Sequence, residues 1–276
     1  GPDQSFHDVL RSRLANTPIL QDLLSVNVGV CPTRWQLNQF PSEFSSKLKV
    51  VHEGIDTDFF VPSSISDHST NLKNELGIPS FSKIVTYTSR ALEPMRGFPT
   101  FIRAAVLAQQ QRSDLYCIIV ADDDRVCYGS PRQDGLTYKQ YMQNELSDNA
   151  DWSRILFLPP CNYANYLKLL QASDCHVYLT KPYVLSWSFL EVLSCGTPIV
   201  ASSTPPVQEV VGTDDQFCIQ VDFWNPSAVA QAILSTVDNF NDSMERARRA
   251  RELVQQRYSI GNGLAGWNAL ITDLLN

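Results

Sequence analysis

Two arginines six positions apart, Arg90 and Arg96, stand in the segment "YTSRALEPMRGF", Tyr87 to Phe98. An apolar run precedes them, and Gly97 opens an apolar helical period directly after them. Two guanidiniums in one turn could clamp a diphosphate, because each planar fork binds phosphate oxygens bidentately and keeps its charge. A helix N-terminus beside them would add amide donors and a favourable dipole. Two ordinary surface arginines would be spelled the same way. A second turn lies in "KPYVLSWSFLEVLSCGTPIVAS", Lys181 to Ser202. If a strand ends near Thr180 and a helix starts near Ser186, the Ser186, Trp187 and Ser188 amides point out of that helix and make an anion site. Glu191 interrupts the apolar run on the first turns of the same helix. It could accept hydrogen bonds from vicinal hydroxyls, such as those of a ribose, or serve only the helix dipole. The third candidate, "VADDDRVCYG", puts Asp122, Asp123 and Asp124 after a buried strand. They could bind a divalent metal, form a solvated loop, or hydrogen-bond a sugar or base.

The elements that must position these turns alternate between short apolar strands and longer helical periods. Strands are expected at Lys83–Ser89, Leu115–Ala121, Arg154–Leu158 and Cys175–Leu179, and in "TPIVAS" and "QFCIQV". Helices are expected in "GFPTFIRAAVLAQQQ", "YANYLKLLQAS", Trp187–Ser194 and "PSAVAQAILSTVDNF". Near-continuous apolar strands between helices predict a parallel sheet covered on both faces, an α/β doubly wound fold. In such sheets ligands bind at the carboxyl ends of the strands, where all three turns fall. The first 60 residues are set apart. "HDVLRSRLANTPILQDLL" reads as a helix, "VNVGV" as a short strand, and "CPTRWQLNQFPSEF" as a helix opened by Thr33. "LKVVHEG" reads as a strand ending near Glu53. "GIDTDFFVP" and "SSISDHST" read as a linker.

The chain has 276 residues, 43% of them hydrophobic, enough for one large or two modest cores. No apolar stretch reaches the roughly 20 residues of a membrane span. A net charge of −7 argues against nucleic acid as a partner. The basic cluster "ERARRARELVQQR", Glu245 to Arg257, mixes its charges at helical spacing, as a solvated helix face does; contact with an anionic membrane is the alternative. Seven cysteines without CxxC spacing read as free thiols of a reducing compartment rather than disulfides or a zinc site. His176, inside "CHVYL", reads as a satisfied core histidine. Gly1-Pro2 reads as the scar of a cleaved tag, so the natural protein is expected to begin upstream.

Together the turns resemble the donor-binding domain of the retaining GT-B glycosyltransferases of glycosyltransferase family 4. That family carries an Arg after one strand and a Lys-Gly a few residues later; here Arg90 and Arg96-Gly97 fit, with Arg in place of Lys. "LEVLSCGTPIVAS" resembles the second half of the family's E-x7-E element and the strand after it. "VHEGIDTDFF", "RILFLPPCNYANYLKLLQASDCHVYLT" and "PPVQEVV" resemble the interdomain element, the base pocket and the segment before the next strand. Two departures stand out. Tyr183 occupies the place of the first glutamate, which usually contacts the donor sugar, and Ser186, followed by Trp187, replaces the glycine of the phosphate-contacting turn.

The resemblance implies one Rossmann-like GT-B half with a remnant of the amino-terminal domain. Residues 1–2 are the scar, 3–48 the end of the amino-terminal acceptor domain and 49–80 the linker and entry. Residues 81–240 form the donor domain, and 241–276 the helices that cross back. It implies a diphosphate held by Arg90, Arg96 and Gly97, and by the turn at Ser186 and Trp187. It implies a ribose on Glu191, with Asp122, Pro160 and Tyr183 also at the substrate. Arg90, Arg96 and Glu191 are the residues expected to matter to catalysis. Tyr163 and Tyr166, beside the base strand, could stack or pack in the core. The implied reaction is retaining transfer from a UDP- or GDP-sugar to a glycan, lipid or polysaccharide precursor, without a cofactor or obligatory metal. The expected setting is the cytoplasm, with peripheral membrane contact as a further expectation. The acceptor would sit on a missing domain of ~100–200 residues, leaving this chain inactive alone. A nucleotide-sugar epimerase or hydrolase, and a non-catalytic nucleotide-binding or scaffolding domain, are the competing readings.

Overall fold

The structure, a computed structural model, describes residues 6–63 and 67–276. Gly1-Pro2, expected as a scar, and Ser64-Ile65-Ser66 of the expected linker lie outside the described residues. The chain forms two compact units, the first ending at His52 and the second running from Glu53 to Asn276.

The first unit holds α1 (Phe6–Ser25), β1 (Gly29–Cys31), α2 (Arg34–Leu37) and β2 (Leu48–Val50), with β1 and β2 paired in parallel. Thr33 opens α2 as expected, its side chain accepting from the Gln36 amide at 3.1 Å. The helix ends after only four residues, because Pro41 follows closely and the chain turns into a 3₁₀ segment, Ser42–Lys47. Lys47 Nζ donates to the carbonyls of Leu23, Leu24 and Val26 at 3.0–3.1 Å. A cation there satisfies the open end of α1.

The second unit continues with α3 (Asp67–Leu76), β3 (Lys83–Ala91), α4 (Phe98–Gln111), β4 (Leu115–Asp122), α5 (Tyr138–Glu145), β5 (Ile155–Leu158), α6 (Tyr163–Gln171), β6 (Cys175–Tyr178) and α7 (Trp187–Ser194). It ends with β7 (Ile199–Ser202), α8 (Pro205–Val211), β8 (Ile219–Val221), α9 (Pro226–Asp238), α10 (Phe240–Arg257) and α11 (Ile260–Leu275). The six long-range strands form one parallel sheet in the order β5-β4-β3-β6-β7-β8. Successive strand residues bury on opposite faces: Val85 and Tyr87 pack with α4, α5 and α9, and Ile84 with α3 and α6. Ile199 and Ala201 pack with α7, α8 and α10. Helices on both faces explain why the strands read as near-continuous apolar runs. The chain enters this sheet at β3, builds outward to β5, then returns to place β6 on the other side of β3. That reversal is the topological switch point.

Three helices were not expected. The segment read as linker contains α3, and no helix is expected at α5 or α8. His176 is fully buried, and burial pushes it down to about 3, so it is neutral. Its Nδ1 meets Thr86 Oγ1 at 2.9 Å, but among the described residues Nε2 has no partner, so the histidine is satisfied there on one nitrogen. Arg248 pairs with Glu245 at 2.9 Å and also with Glu252, as on a solvated helix face. All seven cysteines are free and five are buried. No described helix is long and apolar enough to cross a membrane.

Candidate functional site

The loops leaving the carboxyl ends of β3 and β6 meet at the switch point and enclose a cleft of about 490 Å³. That is the size of a small-molecule site. Arg90, Arg96, Pro160, Ser186, Trp187 and Glu191 all line it. Of the other candidates from the sequence, Gly97, Asp122 and Tyr183 stand outside its lining.

Arg96 is held from several directions. It ends the 3₁₀ turn Pro94–Arg96. The Tyr87 hydroxyl donates to its carbonyl at 2.8 Å. Its Nη1 donates to Thr180 Oγ1 at 2.9 Å. The Thr180 amide donates to Ser202 Oγ, and the Ser202 hydroxyl donates to the Thr180 carbonyl, both at 3.1 Å. The anchor of Arg96 is thus fixed to β7. The guanidinium carbon lies 5.4 Å from the Tyr128 ring and 5.7 Å from the Tyr183 ring, and the two rings are 5.2 Å apart. Such contacts attract a cation to the ring face. Gly97 has φ 74°, and a Cβ there would come within 2.5 Å of Leu179 Cβ. Glycine therefore lets the turn bend left-handed and run against the end of β6 before α4 begins.

Arg90 is exposed at the end of β3. Among the described residues, neither Arg90 nor Arg96 has a carboxylate at ion-pair distance. The aspartate run is engaged elsewhere. Asp122 pairs with Arg125 at 2.8 Å and accepts from the Asp124 amide at 3.0 Å, and Asp123 pairs with Lys139 at 3.6 Å. Among the described residues no three His, Cys, Asp or Glu side chains cluster to hold a metal ion.

Helix α7 begins at Trp187, as expected. Ser186 caps it in an extended conformation with no side-chain cap bond. The Ser186 hydroxyl meets Ser188 Oγ at 2.8 Å instead, and the Ser186 amide donates to the Tyr178 hydroxyl at 3.0 Å. The first-turn amides of α7 therefore open toward the cleft without a side-chain acceptor. Trp187 is 53% exposed, and its Nε1 donates to Glu53 Oε2 at 3.4 Å. Around Glu191, Phe189, Leu190, Val192 and Leu193 are fully buried, and Glu191 itself is only 6% exposed. Burial pushes its carboxyl up to about 7, and the Tyr166 hydroxyl pulls the other way. The Glu191 charge is also the main reason the Tyr163 phenol is raised. Tyr163 is 58% exposed on the cleft wall, whereas Tyr166 packs edge-on against Phe60 with ring centres 6.1 Å apart. After α7, Gly196 takes φ 64°, ending the helix so that β7 can re-enter the sheet.

The site residues missed in the sequence are Tyr128, Tyr178, Thr180 and Glu93. The first three stand on or behind the cleft wall, and no local pattern marks them. A second hollow of about 530 Å³ shares the Tyr128 wall and is lined also by Pro94, Met95, Arg132 and Lys181.

Comparison with known proteins points in one direction. Residues 69–253 match the profile of the glycosyl transferases group 1, and residues 2–60 that of a glycosyl transferase family 4 group. The D-inositol 3-phosphate glycosyltransferase of Mycobacterium leprae is 27% identical over 158 residues, 57% of this chain and 33% of that protein. The enzyme of the same name from Mycolicibacterium smegmatis is 26% identical over 182 residues, 66% of this chain and 38% of that protein. The chain thus spans about a third of the length of the curated relatives it matches. Among solved structures, Anabaena Alr3699/HepE, in complex with UDP and glucose, superposes with a TM-score of 0.75 at 20% identity, covering 91% of this chain and 63% of that one. The C-terminal domain of LpcC, a glycosyl transferase group 1 family protein from Francisella tularensis, superposes with a TM-score of 0.63 at 18% identity, covering 75% of this chain and all of that one (100%).

Proposed function

The chain belongs to the group 1 glycosyl transferases of family 4 and has the fold of their carboxy-terminal GT-B domain; on that premise we propose that the cleft between β3 and β6 binds the diphosphate and ribose of a nucleotide sugar. The observation that carries this is a convergence. Two guanidiniums without carboxylate partners and an open helix start face one cleft, on a chain of net charge −7, with a buried carboxylate beside them. Guanidiniums that no protein carboxylate pairs keep their charge for an anionic ligand. Arg90, Arg96 and the first amides of α7 hold the diphosphate, and Glu191 accepts from the ribose hydroxyls. The base lies toward Pro160 and Tyr163.

Negative charge grows on the departing diphosphate as the glycosidic bond breaks. Donors already aimed at that charge lower the barrier without reorganising. The sugar passes with retention to a glycan, lipid or polysaccharide precursor. The acceptor is held by groups outside this chain, which alone binds donor and transfers little. Seven free thiols suit a reducing compartment such as the cytoplasm.

Calorimetric titration with UDP, GDP and ADP in EDTA, followed by Mg²⁺, tests the reading. One diphosphate should bind in EDTA, which would also name the base. Absence of binding for all three, with and without Mg²⁺, would overturn the donor site. Sustained transfer by this chain alone would overturn the division of labour.

A further inference from the structure

Glu93 opens the turn that carries Arg96, and its exposure is 0%. A carboxylate out of water is costly unless donors take its oxygens. Its Oε2 accepts the amides of Cys127 and Tyr128, both at 2.8 Å. Its Oε1 has no partner among the described residues. These amides belong to the connection from β4 to α5, residues 123–137, which carries Gly129, Pro131 and Gly135 and forms no helix or strand. Farther along, Arg132 holds it by pairing with Asp134 and lying over the Tyr141 ring, and the Tyr138 hydroxyl donates to the Ser130 carbonyl at 3.2 Å. Glu93 ties it to the Arg96 turn at the residue whose ring faces the guanidinium. The Arg96 guanidinium carbon lies 5.4 and 5.7 Å from the two ring centres, where the ring quadrupoles attract a cation.

We propose that Glu93 is a positioning residue for diphosphate binding: through the Cys127 and Tyr128 amides it sets the Tyr128 ring, which with Tyr183 holds the Arg96 guanidinium ready at the cleft. The proposal rests on the donor-site reading. A guanidinium ordered before the ligand arrives spares the ligand the cost of ordering it.

The first test needs no ligand. In wild type the Arg96 δ protons carry an upfield ring-current shift from Tyr128 and Tyr183. Glu93→Ala should lose the part that Tyr128→Leu removes. Glu93→Gln keeps a carbonyl oxygen for both amides and should retain it. An unchanged shift in Glu93→Ala overturns the proposal whatever the nucleotide does.

The second test uses UDP, GDP and ADP as probes. Glu93→Ala should weaken the diphosphate that binds by about tenfold, and Glu93→Gln by less than about threefold. In a Tyr128→Leu background Glu93→Ala should add nothing. Equal losses in both backgrounds overturn the proposal. If Glu93→Ala does not fold, Tyr128→Leu decides: full affinity there overturns it. Wild-type protein that binds no diphosphate overturns the donor-site reading instead, and the Arg96 shift still decides the positioning role.

Discussion

Replacing Arg96 with alanine should weaken nucleoside-diphosphate binding by about a hundredfold, or roughly 2.8 kcal/mol. A hydrogen bond to a charged group contributes about 1.5–3 kcal/mol, and a guanidinium can give a phosphate two in parallel. Among the described residues one Arg96 donor bond is formed, from Nη1 to Thr180 Oγ1, with the Tyr178 hydroxyl beside the same guanidinium. The remaining donors are open to a ligand. Arg96→Lys keeps the charge but loses the fork and the guanidinium's contacts with the Tyr128 and Tyr183 rings, so it should fall between wild type and Arg96→Ala. Arg90 is more exposed, and Arg90→Ala should cost less than Arg96→Ala. Calorimetry reads all three effects. A melting temperature close to wild type for Arg96→Ala would show that the loss belongs to the site and not to the fold. Undiminished affinity would remove Arg96 from the diphosphate.

The second large effect belongs to Glu191 and changes with pH. Its carboxyl is raised by burial from the ordinary 4.5 to about 7. An ionised carboxylate is the better acceptor for two ribose hydroxyls, so affinity should rise as pH rises through about 7. Each unit below that value should cost up to about tenfold. A nucleotide sugar is the right probe, because it lacks the terminal phosphate ionisation of a free diphosphate. Glu191→Gln should bind more weakly at pH 8 and lose the pH dependence.

Stability without ligand runs the other way. The unfolded chain releases this proton near 4.5 and the folded chain near 7. Between those values the folded state binds more protons, and stability falls as pH rises. Glu191→Gln should therefore stabilise the empty protein above pH 7, by on the order of 2 kcal/mol, and have little effect below about pH 4.5. Thermal unfolding across that range checks the sign. A carboxylate that weakens the empty fold and strengthens the complex is expected of a binding group. One that only served the helix dipole would not couple to ligand.

The sheet was legible because both of its faces are covered, so its strands are unbroken apolar runs that periodicity detects. The starts of α2 and α7 were legible from Thr33 and from the apolar run at Trp187. The helices that were missed are of other kinds. In α3 only Leu72 and Leu76 meet the core, so its polar surface reads as linker. In α5 Met142 alone is fully buried. A signal was present there, because Thr137 and Gln140 form a reciprocal capping box. In α8 the pair Pro205-Pro206 stands in the first turn, where proline fits a helix.

The cleft shows the same division. Arg90, Arg96, Ser186, Trp187 and Glu191 lie within their own turns, where local spacing marks them. Glu93 and the loop it holds are 34 and 35 positions apart, and Thr180 reaches Arg96 across 84 positions. Neither contact leaves a local pattern. Tyr183 was identified as a departure from the family, yet its partners became visible only in space. Asp122 was expected near substrate, but it stands outside the cleft lining, paired with Arg125.

The most direct measurement is a crystal structure of this chain with the diphosphate that the titration selects. The account predicts phosphate oxygens between Arg90, Arg96 and the first amides of α7, with the ribose hydroxyls on Glu191. A nucleotide seated instead in the hollow beside Arg132 and Lys181, with the β3–β6 cleft empty, would contradict it.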